Sequence, residues 1–154
     1  MASRPAGSGR PPAGSGRPQA GGIRRINVGP GRALFLVYAV FALSASVRAG
    51  YQLITKFSDA PLAYLLSALA AAIYVVATVA LARGGETARR IALVAVSIEL
   101  VGVLAVGALS YAQPKDFPDA TVWSHFGQGY GYIPVVLPVL GLIWLLRAGR
   151  QEPR

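Results

Sequence analysis

Four runs of predominantly apolar residues dominate the chain, at about 33–55, 61–82, 91–112 and 129–146. Crossing ~30 Å of hydrocarbon takes about twenty residues as a helix. A spanning segment must satisfy its own backbone hydrogen bonds, so isolated runs of this kind are required to be helical. The apolar residues arrive in blocks rather than in alternation, which sets the expected fold class. It is all-α, a polytopic transmembrane bundle of four helices whose short connections favour antiparallel neighbours. Only 14% of the 154 residues are charged, against 54% hydrophobic. Soluble domains carry about a quarter charged residues, so this chain has little surface to show to water.

The cations give the orientation. Arg4, Arg10, Arg17, Arg24, Arg25 and Arg32 precede the first run; Arg83, Arg89 and Arg90 separate the second and third; Arg147, Arg150 and Arg154 follow the fourth. The two opposite loops carry only Lys56 and Lys115. Positive charge stays in the cytoplasm, so both termini are expected there, in a multi-pass protein of the cell (plasma) membrane. The net charge of +9 and the pI near 10.7 would also suit a nucleic-acid binder. The cations, however, lie in the tail and at the ends of apolar runs, so the expected partner is the lipid bilayer and not nucleic acid.

Residues 1–32 form a basic Gly/Pro/Arg-rich tail in which Pro-Ala-Gly-Ser-Gly-Arg-Pro occurs twice in tandem, at 5–11 and 12–18. Such a composition cannot bury enough surface to offset its ordering entropy, and disorder is expected. Arg24, Arg25 and Arg32 are candidate contacts for anionic lipid, each cation contributing about 1 kcal/mol near the surface. Residues 33–147 make the membrane domain and 148–154 a short cytoplasmic tail. One rival reading is a cleavable signal peptide built on Arg24-Arg25 and the apolar run 34–43, with small residues at Ala42, Ser44 and Ala45. Apolar character continuing through Leu53 and Ile54 favours an uncleaved span.

Three polar residues inside the spans are candidates for function. Glu99 lies eight residues beyond Ile91, about 12 Å into the hydrocarbon, where an ionised carboxylate costs about 2.5–3.5 kcal/mol. Ala92, Ala95 and Gly102 share its helical face, so it is expected to point inward. Ser44, Arg48, Gln52 and Thr55 form one polar stripe on the first span. Two readings of Arg48 stand: a buried pair with Glu99, or a guanidinium that snorkels or takes other polar partners. On the second span Tyr64, Ser67, Ala71, Tyr74 and Thr78 share a narrow arc that suits helix packing.

The loop 113–128 is expected to lie against the membrane interface, anchored by Phe117, Trp123 and Phe126. Asp119 is placed to cap a short helix there. Asp116, Asp119 and His125 are metal-ligating residue types without ligand spacing, and are expected to be solvated. Gly127-Gln-Gly-Tyr-Gly131 lacks the strand and helix context of a phosphate-binding loop, and is expected to make a flexible or tightly packed approach to the fourth helix. Pro134 and Pro138 should kink that helix. Cysteine is absent, which excludes disulfides and thiolate chemistry. No nucleophile–base constellation, paired acids or metal box is found, so neither catalysis nor a cofactor is expected.

Several segments carry a resemblance: Arg-Ala-Gly-Tyr-Gln-Leu at 48–53, Asp-Ala-Pro-Leu-Ala-Tyr-Leu-Leu-Ser-Ala at 59–68, Ser-Ile-Glu-Leu-Val-Gly at 97–102 and Phe-Pro-Asp-Ala-Thr-Val-Trp-Ser at 117–124. With them the stretch from 45 to 146 resembles a set of small, uncharacterised actinobacterial integral membrane proteins. The excess of arginine over lysine, 13 to 2, is in keeping with a GC-rich bacterial source. The resemblance implies four spans in the plasma membrane and transfers no activity. The expected role is a non-catalytic subunit or partner of a membrane assembly. The protein partner, besides the bilayer, is a second membrane protein or further copies of the chain in a homo-oligomer. The alternative is a small transporter or channel using Glu99.

Overall fold

The computed structural model describes residues 29–149. The tail through residue 28, with Arg24 and Arg25, and the last five residues lie outside the described residues, as do the expectations made for them. The described chain is all-helical: α1 (Pro30–Thr55), α2 (Pro61–Arg83), α3 (Glu86–Ala112) and α4 (Ile133–Ala148), with shorter tight turns at Pro114–Asp116 and Ser124–Tyr130. It is a polytopic transmembrane bundle, in which α1, α2 and α3 are each long and apolar enough to cross a membrane.

Proline opens α1, α2 and α4, a position where its missing N–H costs nothing. Sequence neighbours pack against each other, α1 on α2, α2 on α3 and α3 on α4. Small residues are buried along both helices of the α1–α2 pair: Ala42, Ala45 and Ala49 on α1, and Ala63, Ala70 and Ala77 on α2. Such residues let two backbones approach closely where lipid offers no hydrophobic drive to associate. The large apolar side chains point outward instead, with Leu43, Val47 and Ile54 of α1 and Val101 of α3 well exposed. A bilayer solvates these at no cost.

Both described chain ends lie at one end of the bundle, the terminal end. There a side chain on Gly31 of α1 would stand 2.3 Å from the Trp144 ring of α4. Arg89 of α3 donates to the Leu145 carbonyl near the end of α4 at 3.3 Å. Arg32, Arg83, Arg90 and Arg147 are exposed at this end, while Lys56 and Lys115 sit at the opposite, loop end.

The fourth crossing differs from the other three. At 16 residues α4 is about 24 Å long, short of the ~30 Å hydrocarbon thickness. The short turn before it, Ser124–Tyr130, meets α4 at 100° and so runs across its axis. By length and composition α4 counts as a span only when the two are taken together. The break falls at Gly131 and Tyr132, both left-handed, with φ of 64° and 61°. It therefore lies upstream of both prolines expected to kink the helix. Pro134 stands in the first turn, where it has no intrahelical N–H bond to lose, so it starts the helix rather than bending it.

Candidate functional site

Glu99 is the central residue of α3, thirteen positions from either end, and is fully buried. Ala92 and Ala95 are buried on the same face, as their spacing requires. Glu99 meets Tyr38 of α1, whose hydroxyl donates to Oε2 at 2.6 Å. The other oxygen, Oε1, has no hydrogen-bond partner. A side chain on Gly141 of α4 would stand 3.3 Å from Val96 and 3.5 Å from the Tyr38 hydroxyl, so three helices close on this point. Tyr74 brings in the fourth. It is fully buried, its ring lies 6.2 Å from that of Tyr38, and its hydroxyl accepts a 3.2 Å bond from Trp123 Nε1.

Arg48 does not pair with Glu99. Its Nη1 donates to the Tyr130 hydroxyl at 2.5 Å and its Nη2 to the Ala120 carbonyl at 3.0 Å. It thus ties α1 to the segment that precedes α4. The expected polar stripe on α1 divides: Gln52 is buried, Arg48 half-buried, Ser44 and Thr55 exposed. Gln52 Oε1 has no hydrogen-bond partner. On α2, Tyr64, Ser67, Ala71 and Tyr74 are all buried, and Ser67 bonds back to the Ala63 carbonyl at 2.9 Å within its own helix.

The loop after α3 departs most from expectation. Trp123 is only 1% exposed and fills the core, its ring where a side chain on Gly102 would stand 2.6 Å away. Phe126 packs likewise over Gly107, at 2.3 Å from such a position. The loop folds back onto α3 because two glycines on that helix leave room for two aromatic rings, and burying them removes more apolar area from water than an interfacial seat would. Phe117 and Phe126 are each half-buried, Phe117 packed against the core, and only Trp123 is fully buried. Asp119 caps no helix; its carboxylate accepts from the Tyr64 hydroxyl of α2 and fastens the loop there. His125 is half-buried, its ring edge-on to Tyr111 at 4.5 Å. Neither side chain is simply solvated. Asp116 is exposed.

Local bonds hold this fold-back in shape. Thr121 Oγ1 accepts from the backbone N–H of Trp123 and of Ser124, at 3.1 and 2.9 Å, while Ser124 Oγ accepts from that of Thr121 at 2.9 Å. Next, His125, Phe126 and Gly127 are all left-handed, with φ of 52°, 59° and 79°. For a residue with a Cβ this region costs about 1–2 kcal/mol. The bond from the His125 N–H to Ser110 Oγ, at 2.8 Å, helps to hold it. Gly127 is packed against the Pro134 ring, where a side chain would stand 2.7 Å away. Within the glycine-rich segment only Gly127 is tightly packed; Gly129 and Gly131 have open space around them.

Between α1 and the fold-back lies a cleft of about 670 Å³, lined by Arg48, Thr121, Ser124, His125, Gln128 and Tyr130 among others. A second, almost wholly apolar groove of about 400 Å³ runs between α2 and α3, with Ala72 and Ala95 among its walls and Arg90 at one end. Glu99 lines neither. Among the described residues no group of three metal-ligating side chains occurs. Tyr38, Trp123 and Tyr130 are the residues that spacing did not single out as partners, since each meets its partner across 49 to 82 positions of sequence. No family model, curated protein or solved structure matches the chain.

Proposed function

We propose that this chain is a non-catalytic subunit or stabilising partner of a larger assembly in the plasma membrane, with both termini cytoplasmic. The observation that carries the reading is the placement of Glu99. The central acid of α3 is fully buried, engaged by Tyr38, and set where the helices converge, away from both cavities. That is the position of a residue that fixes a helix arrangement. The apolar α2–α3 groove supports an assembly, because alanines in its wall let a neighbouring span approach. The orientation rests on the arginines of the terminal end.

A small transporter is the second reading, favoured by the broken fourth crossing, since interrupted spans line the substrate sites of many transporters. Affinity purification of the tagged full chain at native expression level, with mass spectrometry of the intact complex, separates the two. A stoichiometric hetero-partner supports the subunit reading. A homo-oligomer or a bare monomer overturns it and moves the test to flux assays with Glu99→Gln as the control. Because the chain has no cysteine, single cysteines at Ser58 and Thr87 report the orientation by labelling from either side of the membrane.

A further inference from the structure

The cleft between α1 and the fold-back has the features of an anion site. Arg48 places a permanently charged guanidinium in its wall. Both of its partners are neutral acceptors, the Tyr130 hydroxyl and the Ala120 carbonyl. No carboxylate lies within 4 Å of it among the described residues. The acid nearest along the loop, Asp119, is engaged by Tyr64 instead. A guanidinium has five N–H donors in a planar fork. Two are used here, and the three that remain, on Nε, Nη1 and Nη2, suit a pair of oxygens from one oxyanion. Tyr130 and Ala120 hold the fork in place, so little side-chain freedom is lost when an anion arrives. Gln128, exposed on the rim and without a side-chain hydrogen bond among the described residues, brings an amide donor to the same space.

Size and depth narrow the class of anion. A cleft of about 670 Å³ is far larger than a monatomic ion needs. Arg48 stands seven residues before the end of α1, about 10 Å along its axis. The cleft opens through the exposed Ala120, Gln128 and Gly129 toward the loop end of the bundle. A headgroup there, where phosphate esters are the abundant anions, is therefore about 10 Å from Arg48 along α1. We propose that this cleft binds a phosphate-ester oxyanion through the Arg48 fork and the Gln128 amide, supplied by a phospholipid headgroup or by a soluble phosphate ester. The site stands on the cleft alone and does not depend on the subunit reading.

The test uses the full chain, purified free of phospholipid in a maltoside detergent and titrated calorimetrically with glycerol 3-phosphate and with phosphatidylglycerol. Saturable one-site binding of either probe is the expected result. Binding of phosphatidylglycerol alone assigns the site to a lipid headgroup, and binding of glycerol 3-phosphate assigns it to phosphate esters from either source. Arg48→Gln should weaken binding at least tenfold. Because that change also releases the fold-back, Gln128→Glu is the deciding variant: it sets an acid in the cleft and breaks no existing bond. It too should weaken binding tenfold or more while circular dichroism stays unchanged. Absence of saturable binding of both probes, or equal affinity in Gln128→Glu, overturns the proposal.

Discussion

Gly102→Ala tests the burial of the loop, because it adds one methyl group in the middle of α3 and nothing else. On helix propensity alone the change is favourable by about 0.5–1 kcal/mol. The Trp123 ring opposes it, with two atoms at 2.6 and 2.7 Å from the new Cβ, well inside van der Waals contact. The indole cannot swing aside freely, being 1% exposed and tethered through Nε1 to the Tyr74 hydroxyl. Overpacking of this kind costs about 1–3 kcal/mol, so the net effect is a destabilisation of roughly 0–2.5 kcal/mol. The sharper quantity is the coupling with Trp123→Ala. Removing the ring removes the clash, so Gly102→Ala should become neutral or stabilising in that background, with an interaction energy of about 1–3 kcal/mol. Unfolding by SDS in mixed micelles, followed by far-ultraviolet circular dichroism, gives all four corners of the cycle. Strictly additive effects would refute the packing of Trp123 against α3 and return the loop to the interface.

Three further outcomes follow from the same packing. Tyr38→Phe removes the one hydrogen bond to Glu99 and leaves both carboxyl oxygens without a partner, a loss of about 1–3 kcal/mol in the same unfolding assay. An unchanged midpoint would show that the bond contributes nothing. Gly141→Val drives a branched side chain toward Val96 and the Tyr38 hydroxyl, at 3.3 and 3.5 Å from its Cβ, and should cost about 1–3 kcal/mol. A stability equal to wild type would place α4 farther from α1 and α3. At His125, asparagine tolerates the left-handed backbone and valine does not, while both lose the ring contact with Tyr111. His125→Val should therefore be less stable than His125→Asn by about 1–2 kcal/mol. Equal stabilities would remove the left-handed turn.

The sequence by itself determined the transmembrane bundle. Blocks of apolar residues long enough to cross hydrocarbon leave the backbone no alternative to helix, so α1, α2 and α3 emerge within a few residues of the expected spans. It also determined that Glu99 faces inward, since Ala92 and Ala95 mark one helical face by period alone. What Glu99 and Arg48 bond to was decided only by the tertiary structure. Their partners, Tyr38 and Tyr130, lie 61 and 82 positions away, and an arginine in a polar stripe carries no mark of which element will reach it. The fold-back of the loop was hidden for a related reason. Tryptophan and phenylalanine suit the membrane interface and a protein core equally well by chemistry, and the choice fell to the space left above Gly102 and Gly107 on a helix that is remote in the chain. Local periodicity fixes which residues share a face. Only the packing of faces against one another fixes what fills the gaps between them.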